Sequence, residues 1–133
     1  MQTHTVRVYY EDTDLAGVVY YANYLRFIER GRTEALREIG VDQTALKAQG
    51  VVFVVTRVNA DYLIPAHFDD VLEVHTNVEW VKRASCAMWQ EIWRGDEKLF
   101  TAQVTVACMG SDGRPVRLPT EVREGLVEMH NVG

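Results

Sequence analysis

No stretch of this 133-residue chain approaches the roughly 20 consecutive apolar residues that a helix needs to cross a bilayer, so membrane insertion is not expected. An excess of positive charge is missing too: 14 Lys and Arg stand against 19 Asp and Glu, a formal net charge of -5. A sequence-independent nucleic-acid binder is usually basic, so nucleic acid is not an expected partner. Two cysteines, Cys86 and Cys108, and four histidines without HxxxH-type spacing are too few and too scattered for a zinc site, and no metal is expected. The first residues, MQTHTVRVYYEDTD, lack the basic start and apolar segment of a secretory signal. That points to the cytoplasm and to reduced, packed thiols. Linkers, repeats and low-complexity segments are absent, so residues 1–133 read as one domain. With 47% hydrophobic residues the chain can bury one core, not two.

Periodicity gives the elements. THTVRVYY places Val6, Val8 and Tyr10 on one face, as in a strand. NYLRFIERGRTEALREIG has a helical stripe of Tyr24, Ile28, Gly31, Ala35 and Ile39, widened by Leu25 and Leu36. Asn23 is the expected N-cap and Gly40 the stop. Gly31 and Ala35 leave one side of this helix nearly bare, so another element can approach closely. DQTALKAQG reads as one short helical turn closed by Gly50. VVFVVTRVNADYL is apolar on both alternations at first, the pattern of a strand buried on both faces. VLEVHTNVEWV, SCAMWQEIW and KLFTAQVTVACM are further strands, with a tight hairpin at RGDE. A turn at Asp112-Gly113 leads to an expected short edge strand, and TEVREGLVEMH to a short helix begun by Thr120. The sum is an α+β domain with one long helix across an antiparallel sheet.

EDTDLAGVVYYANY, residues 11–24, carries the most chemistry. A calcium loop fails at its fifth and twelfth positions, which are Ala16 and Asn23. A solvated acidic turn and a catalytic carboxylate both remain. Asp14 lies nine residues before Asn23 and is not the helix cap itself. A helix N-terminus can hold an oxyanion, a nearby carboxylate can attack or aim a water, and Gly17 allows close backbone approach. The following tyrosines would exclude water.

VYYEDTDLAGVVYYANYLRFIERGRTE, residues 8–34, resembles the signature of the 4-hydroxybenzoyl-CoA thioesterase family of hotdog-fold proteins, nearest the Tol-Pal system-associated acyl-CoA thioesterases. The likeness continues through FVVTRVNADYLIPAHFDDVLEVHT and VKRASCAMWQEI. It implies a five- to six-stranded antiparallel sheet wrapped around one long central helix. It also implies hydrolysis of acyl-CoA to a carboxylic acid and CoA, with no cofactor beyond the CoA of the substrate. Sites at a dimer interface, and a homotetramer built as a dimer of dimers, come with it. Asp14 takes the place of the family's catalytic carboxylate, and Tyr21 that of the residue whose backbone N–H holds the thioester oxygen. Gly17 and Val18 shape the turn, and Asp12 organises it. The Tol-Pal subgroup often has histidine where Tyr21 stands. The tyrosine is closer to the aryl-CoA branch, so aliphatic and aryl substrates both stay open.

Lys82, Arg83 and Ser85 of VKRAS are candidates for the CoA phosphates, since Lys and Arg pair with such charges; an ordinary charged hairpin is the competing reading. Arg57 is a further candidate. Some other hotdog enzymes use an acid on the helix; with Asp14 in that role, Glu29 reads as a surface or interface residue. His67 takes no catalytic part. The rival function is a hotdog scaffold that binds acyl-CoA, or an acyl carrier protein, with little turnover. Acyl carrier protein is also the alternative acyl donor for an enzyme.

Overall fold

The computed structural model describes residues 2–132. Five antiparallel strands form one sheet in the order β1-β3-β4-β5-β2. They are β1 (Gln2–Arg7), β2 (Val51–Tyr62), β3 (Val71–Val81), β4 (Ser85–Arg94) and β5 (Glu97–Gly110). The helices are α1 (Asn23–Glu38), α2 (Gln43–Ala48) and α3 (Thr120–Val132). At 1.5 Å per residue α1 is roughly 24 Å long, enough to cross the sheet.

The face of α1 that meets the sheet holds Tyr24, Phe27, Ile28, Gly31, Ala35 and Leu36, all buried. Opposite lie Leu72 and Val74 of β3, Met88 and Ile92 of β4, and Phe100 and Val104 of β5, also buried. Gly31 marks the closest approach. A Cβ there would stand 2.5 Å from Val74 Cγ1 and 3.2 Å from Thr76 Oγ1. Gly40, at φ +85°, ends the helix as expected.

Several expectations need correction. Tyr10 leaves the strand face and enters a 3-10 turn, Tyr10–Asp12, where it is exposed. Asn23 is the first helical residue, not the cap; Ala22 holds that position, and the Asn23 amide is used elsewhere. Leu25 faces outward at 40% exposure and does not widen the buried stripe. The residues after Pro115 form no edge strand, only a single bridge from Met109 to Pro115. The largest correction concerns β2. Its two-sided apolarity read as burial on both faces, yet it is a sheet edge, with Val55 48% and Val58 39% exposed. Apolar alternation shows that a strand avoids water, not which chain covers it.

The hairpin at Gly95-Asp96 forms as expected, with Arg94 opposite Glu97. Cys86 and Cys108 are buried free thiols. Burial pushes the Cys86 thiol up to about 11, which fits a packing residue better than a nucleophile. No described helix is long and apolar enough to cross a membrane. Among the described residues no group of three or more His, Cys, Asp or Glu side chains could hold a metal ion.

Candidate active site

The acidic turn joins the end of β1 to the start of α1. Asp12 is its anchor. The side chain is buried, and its two oxygens accept from the Tyr9 N–H at 2.8 Å and the Asn23 Nδ2 at 2.7 Å. One carboxylate thus ties the turn to the first residue of the helix. Backbone bridges from Thr13 to Val19 and from Val18 to His67 close the loop against its neighbour.

Asp14 stands at the tip of this frame and is exposed. Its N–H donates to the Val18 carbonyl at 2.9 Å, and its carbonyl accepts from the Gly17 N–H at 3.0 Å. One carboxylate oxygen, Oδ1, accepts from the Ala16 N–H at 2.9 Å. Oδ2 has no hydrogen-bond donor among the described residues. Gly17 has φ +80°, and a Cβ there would meet nothing within 4 Å. The glycine serves the left-handed conformation of the turn. Val18 is half-buried, accepts from the Asp14 N–H through its carbonyl and forms the bridge to His67.

The helix entry lies alongside. Neither the Tyr21 nor the Ala22 N–H has an acceptor among the described residues. The Leu25 N–H bonds three residues back to the Ala22 carbonyl at 3.1 Å, and the Tyr21 carbonyl takes the Tyr62 hydroxyl at 2.8 Å. Tyr62 itself is held edge-on against Tyr24 and Phe100, with ring centroids 5.2 and 5.1 Å away. Burial raises the Tyr24 phenol. Tyr20 and Tyr21 are 45% and 64% exposed, so in a single chain they do not exclude water.

The fold brings Asp14, Gly17, Val18 and Tyr21 together. It does not bring Lys82, Arg83 and Ser85 to them. β3 begins beside the acidic turn, where the Asp70 carbonyl accepts from the Val8 N–H, and ends at the turn carrying those residues. Ten strand steps of about 3.3 Å separate the two ends by roughly 30 Å. Lys82 and Arg83 are exposed there, with Lys82 Nζ 4.5 Å from the centroid of the Trp80 ring. Arg57 is exposed halfway along β2, at a register shift against β5.

Three supports had no local signature in the sequence. Asp12 and Asn23 are eleven residues apart. Tyr62 comes from the far end of β2. Asp70 accepts from the His67 N–H and from Arg94 Nη1, both at 2.8 Å, which ties the loop behind the turn to the β4–β5 hairpin.

The arrangement, a loop carboxylate with one free oxygen beside unpaired helix-entry N–H groups, suits attack on a carbonyl carbon. The chain matches the thioesterase-like superfamily over residues 8–126. It belongs to that family. The chain is 47% identical over 120 residues to the acyl-CoA thioesterase YbgC of Haemophilus influenzae, covering 89% of this chain and 88% of that protein. A probable thioesterase from Bartonella henselae has a crystal structure with 40% identity and a TM-score of 0.84, covering 88% of this chain and 98% of that one. A protein of Thermus thermophilus, 25% identical, superposes at a TM-score of 0.93, covering 98% of this chain and all of the other. The hotdog thioesterase family implied by the D-T-D motif is thus the family found, and its fold is the fold seen.

Proposed function

We propose that this member of the thioesterase-like superfamily is an acyl-CoA thioesterase, releasing a carboxylic acid and free CoA. Relatives at 47% and 45% identity are named acyl-CoA thioesterase and acyl-CoA thioester hydrolase, which supports the reading. The observation that carries it is the exposed Asp14 carboxylate on the turn that leads into the helix entry, where the Tyr21 N–H is unpaired. In this mechanism the Tyr21 N–H takes the developing negative charge of the thioester oxygen. Asp14 either attacks the carbonyl carbon, giving an anhydride that water then opens, or takes a proton from the attacking water. Both routes expel CoA thiolate and need no metal or redox group. CoA enters only as part of the substrate.

The same reading makes the enzyme an oligomer. β2 is a long apolar edge, and such an edge invites a second strand. An antiparallel pairing of two β2 strands exchanges their ends. The partner's Lys82–Ser85 turn would then approach this chain's acidic turn, where Lys82, Arg83 and Ser85 could meet the CoA phosphates, with Arg57 near the centre of the junction. A dimer of dimers, a cytoplasmic location, and acyl carrier protein as a second acyl donor remain parts of the proposal taken from the resemblance.

The test is CoA release from short aliphatic, long aliphatic and aryl acyl-CoAs by wild type and Asp14→Asn. Hydrolysis of one class by wild type, with a loss of about 10²–10⁴-fold in the folded variant, is expected. Binding without turnover in both proteins would replace the enzyme with a scaffold. Unchanged turnover in Asp14→Asn would leave the activity standing and remove the mechanism.

A further inference from the structure

A cavity of about 290 Å³ lies between α1, α2, α3 and the inner face of the sheet. Phe53 and Val55 of β2, Met88 and Cys86 of β4 and Val106 of β5 make its apolar wall. Glu29 and Arg32 line it from α1. Its volume suits a small acyl group. Cys86, Val106 and Phe53 put it at the Ser85 end of the sheet, so in the antiparallel β2 pairing proposed above the cavity of one chain comes to the acidic turn of the other.

Arg32 is anomalous in this setting. It is half-buried, and its Nη1 donates to Gln90 Oε1 at 3.0 Å. Gln90 is completely buried and cannot turn, because its Nε2 donates to the Ile28 carbonyl at 2.8 Å and to Thr76 Oγ1 at 2.9 Å. Gln90 thus fixes the guanidinium at the cavity. The carboxylate one turn back, Glu29, accepts from the Thr33 hydroxyl at 3.0 Å instead of pairing with Arg32. Among the described residues no carboxylate lies within ion-pair distance of Arg32. Burial lowers the guanidinium pKa and Glu29 opposes the effect, yet an arginine stays charged across the working range. Arg32 thus lines the cavity with the Glu29 carboxylate nearby but not paired to it, and a ligand oxygen can accept from the guanidinium N–H groups that Gln90 leaves free.

We infer that Arg32 is a specificity-determining residue that selects acyl groups ending in an acceptor oxygen, a carboxylate above all. The guanidinium fork has free N–H groups for such an end, and the apolar wall takes the methylenes between it and the thioester. Gln90 acts through Arg32 as a positioning residue. The inference rests on the thioesterase reading and on the β2 pairing proposed with it, and adds to them the class of acyl group.

The experiment compares each of two carboxylate substrates with its apolar isostere: succinyl-CoA with 4-methylpentanoyl-CoA, and glutaryl-CoA with 5-methylhexanoyl-CoA. Wild type should favour the carboxylate member in kcat/KM by at least about tenfold for one pair. Arg32→Met should bring that ratio near unity or invert it, while turnover of the isostere is kept; Arg32→Lys should retain part of the preference. Equal ratios in wild type overturn the inference without any variant. So does a parallel loss on both members in Arg32→Met, which marks a structural role. If wild type releases CoA from no acyl-CoA tested, the thioesterase reading fails by itself. The affinities of folded Asp14→Asn for the same pairs then decide the role of Arg32, and equal affinities overturn it.

Discussion

Asp12 and Asn23 are bound to each other inside the protein: the Asn23 amide donates to the Asp12 carboxylate at 2.7 Å, and both residues are buried. This bond fixes the acidic turn relative to the helix entry, and so fixes Asp14 relative to the Tyr21 N–H. Asn23→Ala leaves a buried carboxylate short of a donor and should cost about 1–3 kcal/mol of stability. Turnover should fall as the turn loosens but should not vanish. Thermal unfolding of Asp12→Asn, Asn23→Ala and the double variant checks the pair. Strictly additive losses would show that the two side chains are not coupled.

Tyr21 should act through its backbone. Tyr21→Phe removes only the hydroxyl and should keep kcat within about threefold of wild type, since no transition-state donor is lost. Tyr21→Pro deletes the N–H and should lower kcat by about 10²–10³-fold. The missing N–H breaks no bond seen in the fold, and circular dichroism should show the helix retained. A Tyr21→Pro enzyme with normal kcat would assign the oxyanion donor elsewhere.

The apolar edge of β2 should be an interface. Val58 is 39% exposed on it, and Val58→Lys places a charge where a second strand is expected. Size-exclusion chromatography with light scattering should show wild type above one chain in mass and the variant shifted toward one chain, with CoA release reduced in step. A monomeric wild type would confine the site to residues of one chain.

Gly31 should resist even a methyl group. An added Cβ lies 2.5 Å from Val74 Cγ1, so Gly31→Ala must push α1 off the sheet and should cost about 1–3 kcal/mol, although alanine is the better helix former. Adding Val74→Ala should recover part of the loss in a urea titration. A stabilised Gly31→Ala would mean that the helix has room to move.

The Asp70–Arg94 pair should make stability depend on acid. Burial alone would raise the Asp70 carboxyl, but the His67 N–H and the Arg94 guanidinium outweigh it and hold the pKa below the ordinary carboxylate value. A folded-state pKa below the unfolded one contributes stability that is complete above the unfolded pKa and is lost as pH falls through the folded one. Asp70→Asn should be less stable at neutral pH by about 1 kcal/mol, allowing for solvent screening. The difference in Tm from wild type should close below about pH 4. A gap independent of pH would assign the effect to packing.

Most of the fold was legible from short-range pattern. The helical stripe over residues 24–39 needs only a 3.6-residue period, and the hairpin at Gly95-Asp96 needs only a turn between two alternating runs. Asp14, Gly17 and Tyr21 were candidates through a motif, which is readable because the turn that holds them is itself local. Asn23 shows where such reading fails. As a cap it would have bonded its own helix, but a buried carboxylate eleven residues earlier took the amide.

Periodicity and local turn chemistry were enough to place the strands, the long helix and the carboxylate turn, because each shows its own period or turn residues within a short run of sequence, even where the bonds that hold it, as in β1 to β3 and β2 to β5, come from far along the chain. They could not show that β2 is an edge, that Lys82 and Arg83 stand at the opposite end of the sheet from Asp14, or that Gln90 aims Arg32 into a cavity. Strand order, strand length and contacts between residues tens of positions apart decide those relations, and none of them leaves a period in the sequence.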